Sequence, residues 1–124
     1  MNFKIRAWDK ERKIMYYPRS LRFNKRTGEL ELIDRNTDYC QYGKYEEIVL
    51  MVSTGLKDIN GKEIYEGDII KTNDGMVCEV VYEEEWCRFV CVYKNGAVGH
   101  MPFIIEEDGI VIGNVFENPE LIIE

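Results

Sequence analysis

Met76-Val77-Cys78-Glu79-Val80-Val81-Tyr82 decides the fold, because Met76, Cys78, Val80 and Tyr82 fall on one face of an extended chain while Glu79 points to the other. That alternation predicts a strand with one buried and one wet face. Working outward, Gly67-Asp68-Ile69-Ile70-Lys71 reads as a preceding strand, joined through Asn73-Asp74-Gly75, and Glu83-Glu84-Glu85 turns the chain into a strand over Trp86 to Tyr93. Lys94-Asn95-Gly96 and Glu106-Glu107-Asp108-Gly109 are further turns, before Ala97 to Phe103 and Ile110 to Val115, and Asn118-Pro119 ends regular pairing. Short strands at such regular spacing predict an SH3-like or sandwich-like β-barrel unit.

The N-terminal part reads as a smaller β unit. Phe3, Ile5 and Ala7 alternate with Lys4 and Arg6, and Asp9 to Lys13 turn the chain into Ile14 to Tyr17. Leu21-Arg22-Phe23 and Glu29 to Leu32 flank Asn24 to Gly28, a loop ending in the glycine that a bulged hairpin favours. Residues 34–47 show no period and read as a loop or a short irregular helix. Ile48 to Val52 reads as a strand buried on both faces, closing the first unit. Thr54 to Lys62, with its Asn60-Gly61 turn signal, is the expected junction, so the expectation is mainly β with few short helices: an N-terminal β-hairpin unit with an irregular loop over 1–53 and a small barrel over 54–124. At most two helices are expected, within 34–47 or around Pro119.

The 124 residues carry 45% apolar side chains, enough for a core without disulfides or metal, and no apolar run approaches the roughly 20 residues that span a bilayer. Charges within Met1 to Arg6 leave no room for the apolar stretch of a secretion signal, so a cytoplasmic protein with no membrane partner is expected. Residues 1–35 hold ten basic and five acidic side chains, a balance of +5, and the remainder carries −12 to give the net −7. A net-acidic chain repels phosphate, although a local basic face still binds it. The charge split also favours self-association, so a homo-oligomer is expected.

Three segments carry a resemblance: Phe3 to Asp9, Thr54 to Lys71, and Ile112 to Leu121. Together, in this order and spacing, they resemble the YopX family of phage and prophage proteins. Val52-Ser53 stand where that family often has Gln and an aromatic residue. The resemblance implies a largely β protein of the bacterial cytoplasm and implies no catalytic residue or cofactor. The turn positions Gly55, Asn60, Gly61, Gly67 and Gly113, with Asp58, read as backbone requirements of the fold.

Catalytic and metal constellations are hard to find in this sequence. Cys40, Cys78, Cys87 and Cys91 lack zinc-ligand spacing, since Cys87 and Cys91 on a strand would stand about 13 Å apart on one face. They read as core thiols. His100 is the single histidine, and there is no nucleophile elbow, phosphate loop or dinucleotide fingerprint. A metal-assisted hydrolase would need Asp68, Asp74 or the acidic turns to converge with His100. What does stand out is aromatic residues beside basic ones: Trp8, Tyr16, Tyr17, Tyr39, Tyr42 and Tyr45 are concentrated in the first 45 residues. The expected activity is therefore a non-enzymatic interaction module for a host or phage macromolecule, with Arg12, Lys13, Tyr16, Tyr17, Arg19, Arg22, Lys25 and Arg26 as its surface. A protein partner is favoured, and single-stranded nucleic acid is the alternative.

Overall fold

A computed structural model describes residues 4–34, 40–101 and 108–122. The chain divides into two compact units, residues 1–52 and 53–124. It is mainly β, with three single-turn 3-10 helices among the described residues.

In the N-terminal unit, β1 (Ile5–Asp9) pairs antiparallel with β2 (Ile14–Tyr16) and with the first half of β6 (Ile48–Lys57). The turn between β1 and β2 is organised by the buried Asp9, whose carboxylate accepts the main-chain N–H of Glu11 at 2.9 Å and of Arg12 at 3.0 Å. The Arg12 guanidinium adds an ion pair at 2.8 Å. Burial pushes the Asp9 carboxyl up, but the bonds from the Arg12 main chain and guanidinium and from the Glu11 amide outweigh it, so Asp9 titrates below its ordinary value. A carboxyl lowered on folding stabilises fully above its unfolded value of about 3.9 and loses that contribution as pH falls through the folded value. Asp9→Asn is therefore expected to flatten the fall in urea midpoint between about pH 5 and about pH 3, and an unchanged acid limb would show that Asp9 carries no such linkage.

The second sheet of this unit is β3 (Pro18–Asn24), β4 (Glu29–Asp34) and β5 (Cys40–Lys44), in that order and all antiparallel. Ala7, Leu30, Leu32 and Ile48, drawn from both sheets, form the core, with Tyr16 and Leu21 packed against it. Gly28, at φ +73°, ends the β3–β4 loop as its sequence position leads one to expect. The strand β5 corrects the sequence reading of 34–47 as loop or helix, although the 3-10 turn Tyr45–Glu47 does fall within it; residues 35–39 lie outside the described residues. A Cβ on Gly43 would lie 2.8 Å from Ile48 Cδ1, so a larger residue there would require the Ile48 side chain to shift.

The strand β6 also differs from expectation. Ile48 and Met51 are buried but Leu50 is exposed, so the strand is not covered on both faces. It continues through Thr54 to Lys57, the first part of the expected junction, and from Ser53 onward it pairs with β7 (Glu63–Tyr65). Gly55, at φ +81°, sits at the irregularity between the paired residues Ser53 and Lys57.

The C-terminal unit is built on a five-stranded antiparallel sheet of β8 (Asp68–Lys71), β9 (Val77–Glu83), β10 (Arg88–Tyr93), β11 (Val98–His100) and β12 (Ile110–Asn114). The order β11-β10-β9-β8-β12 is a four-stranded meander whose first strand also receives the last, which is the connectivity of an SH3-like unit. Its core is Ile64, Ile70, Cys78, Val80, Cys91, Met101 and Val111. The ends of the alternating stretch depart from the expected pattern: Met76 and Tyr82 are exposed, and Glu79 is half-buried with its carboxyl pKa raised by burial. The 3-10 turn Glu84–Trp86 and the turn Pro119–Leu121 complete the unit, giving three such turns where at most two helices were expected. No helix among the described residues is long and apolar enough to cross a membrane.

Candidate functional site

The polar residues of the middle segment are bonded to nearby backbone. Thr54 Oγ1 donates to the Ile64 carbonyl at 2.8 Å and accepts the Leu56 N–H at 3.1 Å. The Asp58 carboxylate accepts the N–H of Asn60 at 2.9 Å, of Lys62 at 2.8 Å and of Val111 on β12 at 3.0 Å. Gly67, at φ +89°, donates its N–H to the Val80 carbonyl and accepts the Val115 N–H, while buried Asp68 accepts the Tyr65 N–H at 2.7 Å. Near the C-terminus Asn114 Oδ1 accepts from Phe116 and Glu117, and Asn118 Oδ1 accepts the Asn114 N–H. These residues hold turns and strand junctions in place.

The carboxylates considered for metal chemistry stay apart in role. Asp68 is committed to the β7–β8 turn, and Asp74 accepts from Thr72 Oγ1 and from the Met76 N–H, bonds that lower its pKa. His100 lies on exposed β11. Among the described residues no three His, Cys, Asp or Glu side chains gather where they could hold a metal ion; Glu106 and Glu107 lie outside those residues. Of the cysteines, Cys78 and Cys91 are buried as expected, and a hydrogen bond with Cys78 together with burial pushes the Cys91 thiol far up. Cys87 is a correction: it is exposed and lies in the turn before β10, at φ +49°, so it shares no strand face with Cys91. The side chain of Cys40 lies outside the described residues.

The eight basic and aromatic candidates separate by environment. Arg12 is paired with Asp9, Lys13 closes the β1–β2 turn by donating its N–H to the Asp9 carbonyl, and Tyr16 packs on the core. Tyr17 and Arg19 are exposed along the approach to β3 and its first residues. Arg22, Lys25 and Arg26 come together at the β3–β4 hairpin, where with Phe23, Asn24, Thr27, Glu29 and Glu31 they line an open groove of about 610 Å³. Asn24 Oδ1 accepts the N–H of Arg26 at 2.9 Å and fixes the tip. Phe23 and Tyr45 were not foreseen as a pair. Their ring centroids are 5.3 Å apart, both are about half exposed, and Tyr45 is held by its N–H donating to the Gly28 carbonyl at 2.9 Å. Trp8 is buried, and the side chains of Tyr39 and Tyr42 lie outside the described residues.

A second aromatic cluster lies in the C-terminal unit. Trp86, read from sequence as the start of a strand, instead tops the Glu84–Trp86 turn and is 65% exposed, because the chain reverses there through the left-handed Cys87. On the strands either side of this turn, Tyr82 and Phe89 meet edge to face at 5.1 Å, and Arg88 pairs with Glu83 at 3.1 Å.

The fold and these surfaces define a small, mainly β protein whose shared motif residues serve its turns and whose exposed aromatics lie beside charged groups. The YopX protein family model matches residues 4–123, so the chain belongs to the YopX family, as its three segments led us to expect. The chain is similar over 99% of its length to 99% of protein EF1440 from Enterococcus faecalis, at 27% identity and a TM-score of 0.69. It is similar over 100% of its length to 98% of protein yopX from Bacillus subtilis, at 27% identity and a TM-score of 0.66. No curated protein matches the chain.

Proposed function

We propose that the protein is a non-enzymatic interaction module of the bacterial cytoplasm, that the β3–β4 hairpin is its contact surface, and that it binds a host or phage protein. The observation that carries this reading is the fixed, exposed Phe23–Tyr45 pair beside Arg22, Lys25 and Arg26. Aromatic and arginine side chains are the ones enriched in protein interfaces, and a pair already held in place loses little freedom on binding. Glu29 and Glu31 line the same groove, so it offers mixed charge to a protein and partial repulsion to a phosphate backbone.

The test places a photo-crosslinking residue at Phe23 in the bacterial host. We expect one defined protein adduct, reduced about tenfold by Arg22→Glu with Arg26→Glu, in keeping with hot-spot losses of about 1.4 kcal/mol or more. Absence of any protein adduct, with tight single-stranded DNA binding that weakens steeply with salt, would overturn the reading in favour of nucleic acid.

A further inference from the structure

The cluster around Trp86 calls for an occupant. A tryptophan that is 65% exposed on a turn offers an aromatic surface that water covers poorly. The turn is fixed before anything binds: the Cys87 N–H donates to the Glu84 carbonyl, and Arg88 with Glu83 closes its base. Glu84 and Glu85 precede Trp86 in the same turn, are exposed, and make no ion pair among the described residues. A turn that carries an exposed indole and two carboxylates attracts Arg and Lys twice, through the ring quadrupole and through charge. The chain itself carries the complement. Lys25 and Arg26 project from the tip of the β3–β4 hairpin, are exposed, and likewise make no ion pair among the described residues.

We infer that the aromatic acidic turn Glu84–Trp86 docks the Lys25-Arg26 hairpin tip of a second copy of this chain, with Trp86 as the anchor. This goes beyond the hairpin's proposed role by assigning a second surface, in the C-terminal unit, and a definite occupant. A hairpin tip on a turn is smaller than the roughly 1,200 Å² a stable interface buries, so the contact is a weak one. Association in the micromolar range, driven by charge and therefore salt-sensitive, is the consequence.

The experiment is sedimentation of the purified full chain at about 50 µM, in about 0.05 M and about 0.5 M salt, followed in parallel by acrylamide quenching of tryptophan emission. Because Trp8 is buried, quenching reports Trp86. We expect a weight-average mass well above the monomer's 14.6 kDa at low salt, falling back to it at high salt, with Trp86 shielded only in the associated form. Trp86→Ala should weaken association about tenfold or more. Lys25→Glu with Arg26→Glu in one preparation, and Glu84→Lys with Glu85→Lys in another, should each be monomeric, and mixing the two should restore association because acidic tips then meet basic turns. A monomer at low salt, association indifferent to these substitutions, or a mixture that stays monomeric would each overturn the inference. Arg26 belongs to both surfaces, so the mass of the Phe23 adduct tells the two proposals apart: a dimer of this chain reports self-docking, and an adduct with a different protein reports the proposed partner.

Discussion

Asp58→Ala is expected to cost about 3 kcal/mol and to lower the melting temperature by about 12 °C, taking about 4 °C per kcal/mol for a chain of this size. The carboxylate is 6% exposed and satisfies three main-chain donors, two within its own turn and one, the Val111 N–H, in the next strand edge. Water can replace the acceptor for Asn60 and Lys62, which lie in an exposed turn. It cannot easily do so for buried Val111, which then bears the full desolvation penalty. Asp58→Asn retains one acceptor oxygen and should recover part of the loss. Thermal unfolding gives the size of the effect, and amide exchange at Val111 gives its location, since that proton should lose protection in the alanine variant. A loss below about 0.5 kcal/mol would mean that the turn is held by its other bonds alone.

Gly113→Ala should cost about 2–3 kcal/mol for a different reason. A Cβ there would lie 2.5 Å from Asn118 Oδ1 and 3.0 Å from Leu121 Cδ1. Asn118 is not free to withdraw, because its Oδ1 accepts the Asn114 N–H at 3.2 Å and its own N–H donates to the Asn114 carbonyl at 2.9 Å. The added methyl must therefore break the link between β12 and the following turn or displace Leu121. Gly55→Ala is the matched control: its Cβ would meet nothing within 4 Å, and its positive φ alone costs about 1–2 kcal/mol. Urea denaturation of both variants separates crowding from backbone strain. A Gly113→Ala loss no greater than that of Gly55→Ala would show that Asn118 can move aside.

Most turns could be read from single residues, and the reason is local. Gly28, Gly61, Gly67 and Gly96 all take positive φ, a conformation that L side chains resist, so sequence reports it directly. The apolar alternation of Cys78 and Val80 likewise reports a face that the fold buries. What escaped the sequence depends on partners distant in the chain. The strand β5 pairs with β4 in register from Glu29 with Lys44 to Ile33 with Cys40, yet its own residues show no strand period. Leu50 is apolar and exposed, and no local pattern distinguishes it from buried Met51. At the candidate surfaces, the basic hairpin could be foreseen from composition. The Phe23–Tyr45 contact could not, because it joins residues 22 positions apart through the Gly28 carbonyl. Trp86 was misplaced because apolar character alone does not reveal that a strand begins two residues later.

The strand β6 has a consequence for inheritance. The two compact units meet in sequence between Val52 and Ser53, midway along the ten residues of Ile48–Lys57. Recombination exchanges protein modules cleanly when the crossover falls in a loop, where neither parent's hydrogen bonding is interrupted. A crossover at this boundary would instead graft half a ladder onto a foreign half and require both registers, with β1 on one side and with β7 on the other, to match at once. Exchange of one unit alone therefore risks mispairing along β6, a hazard that two units joined by a loop do not share.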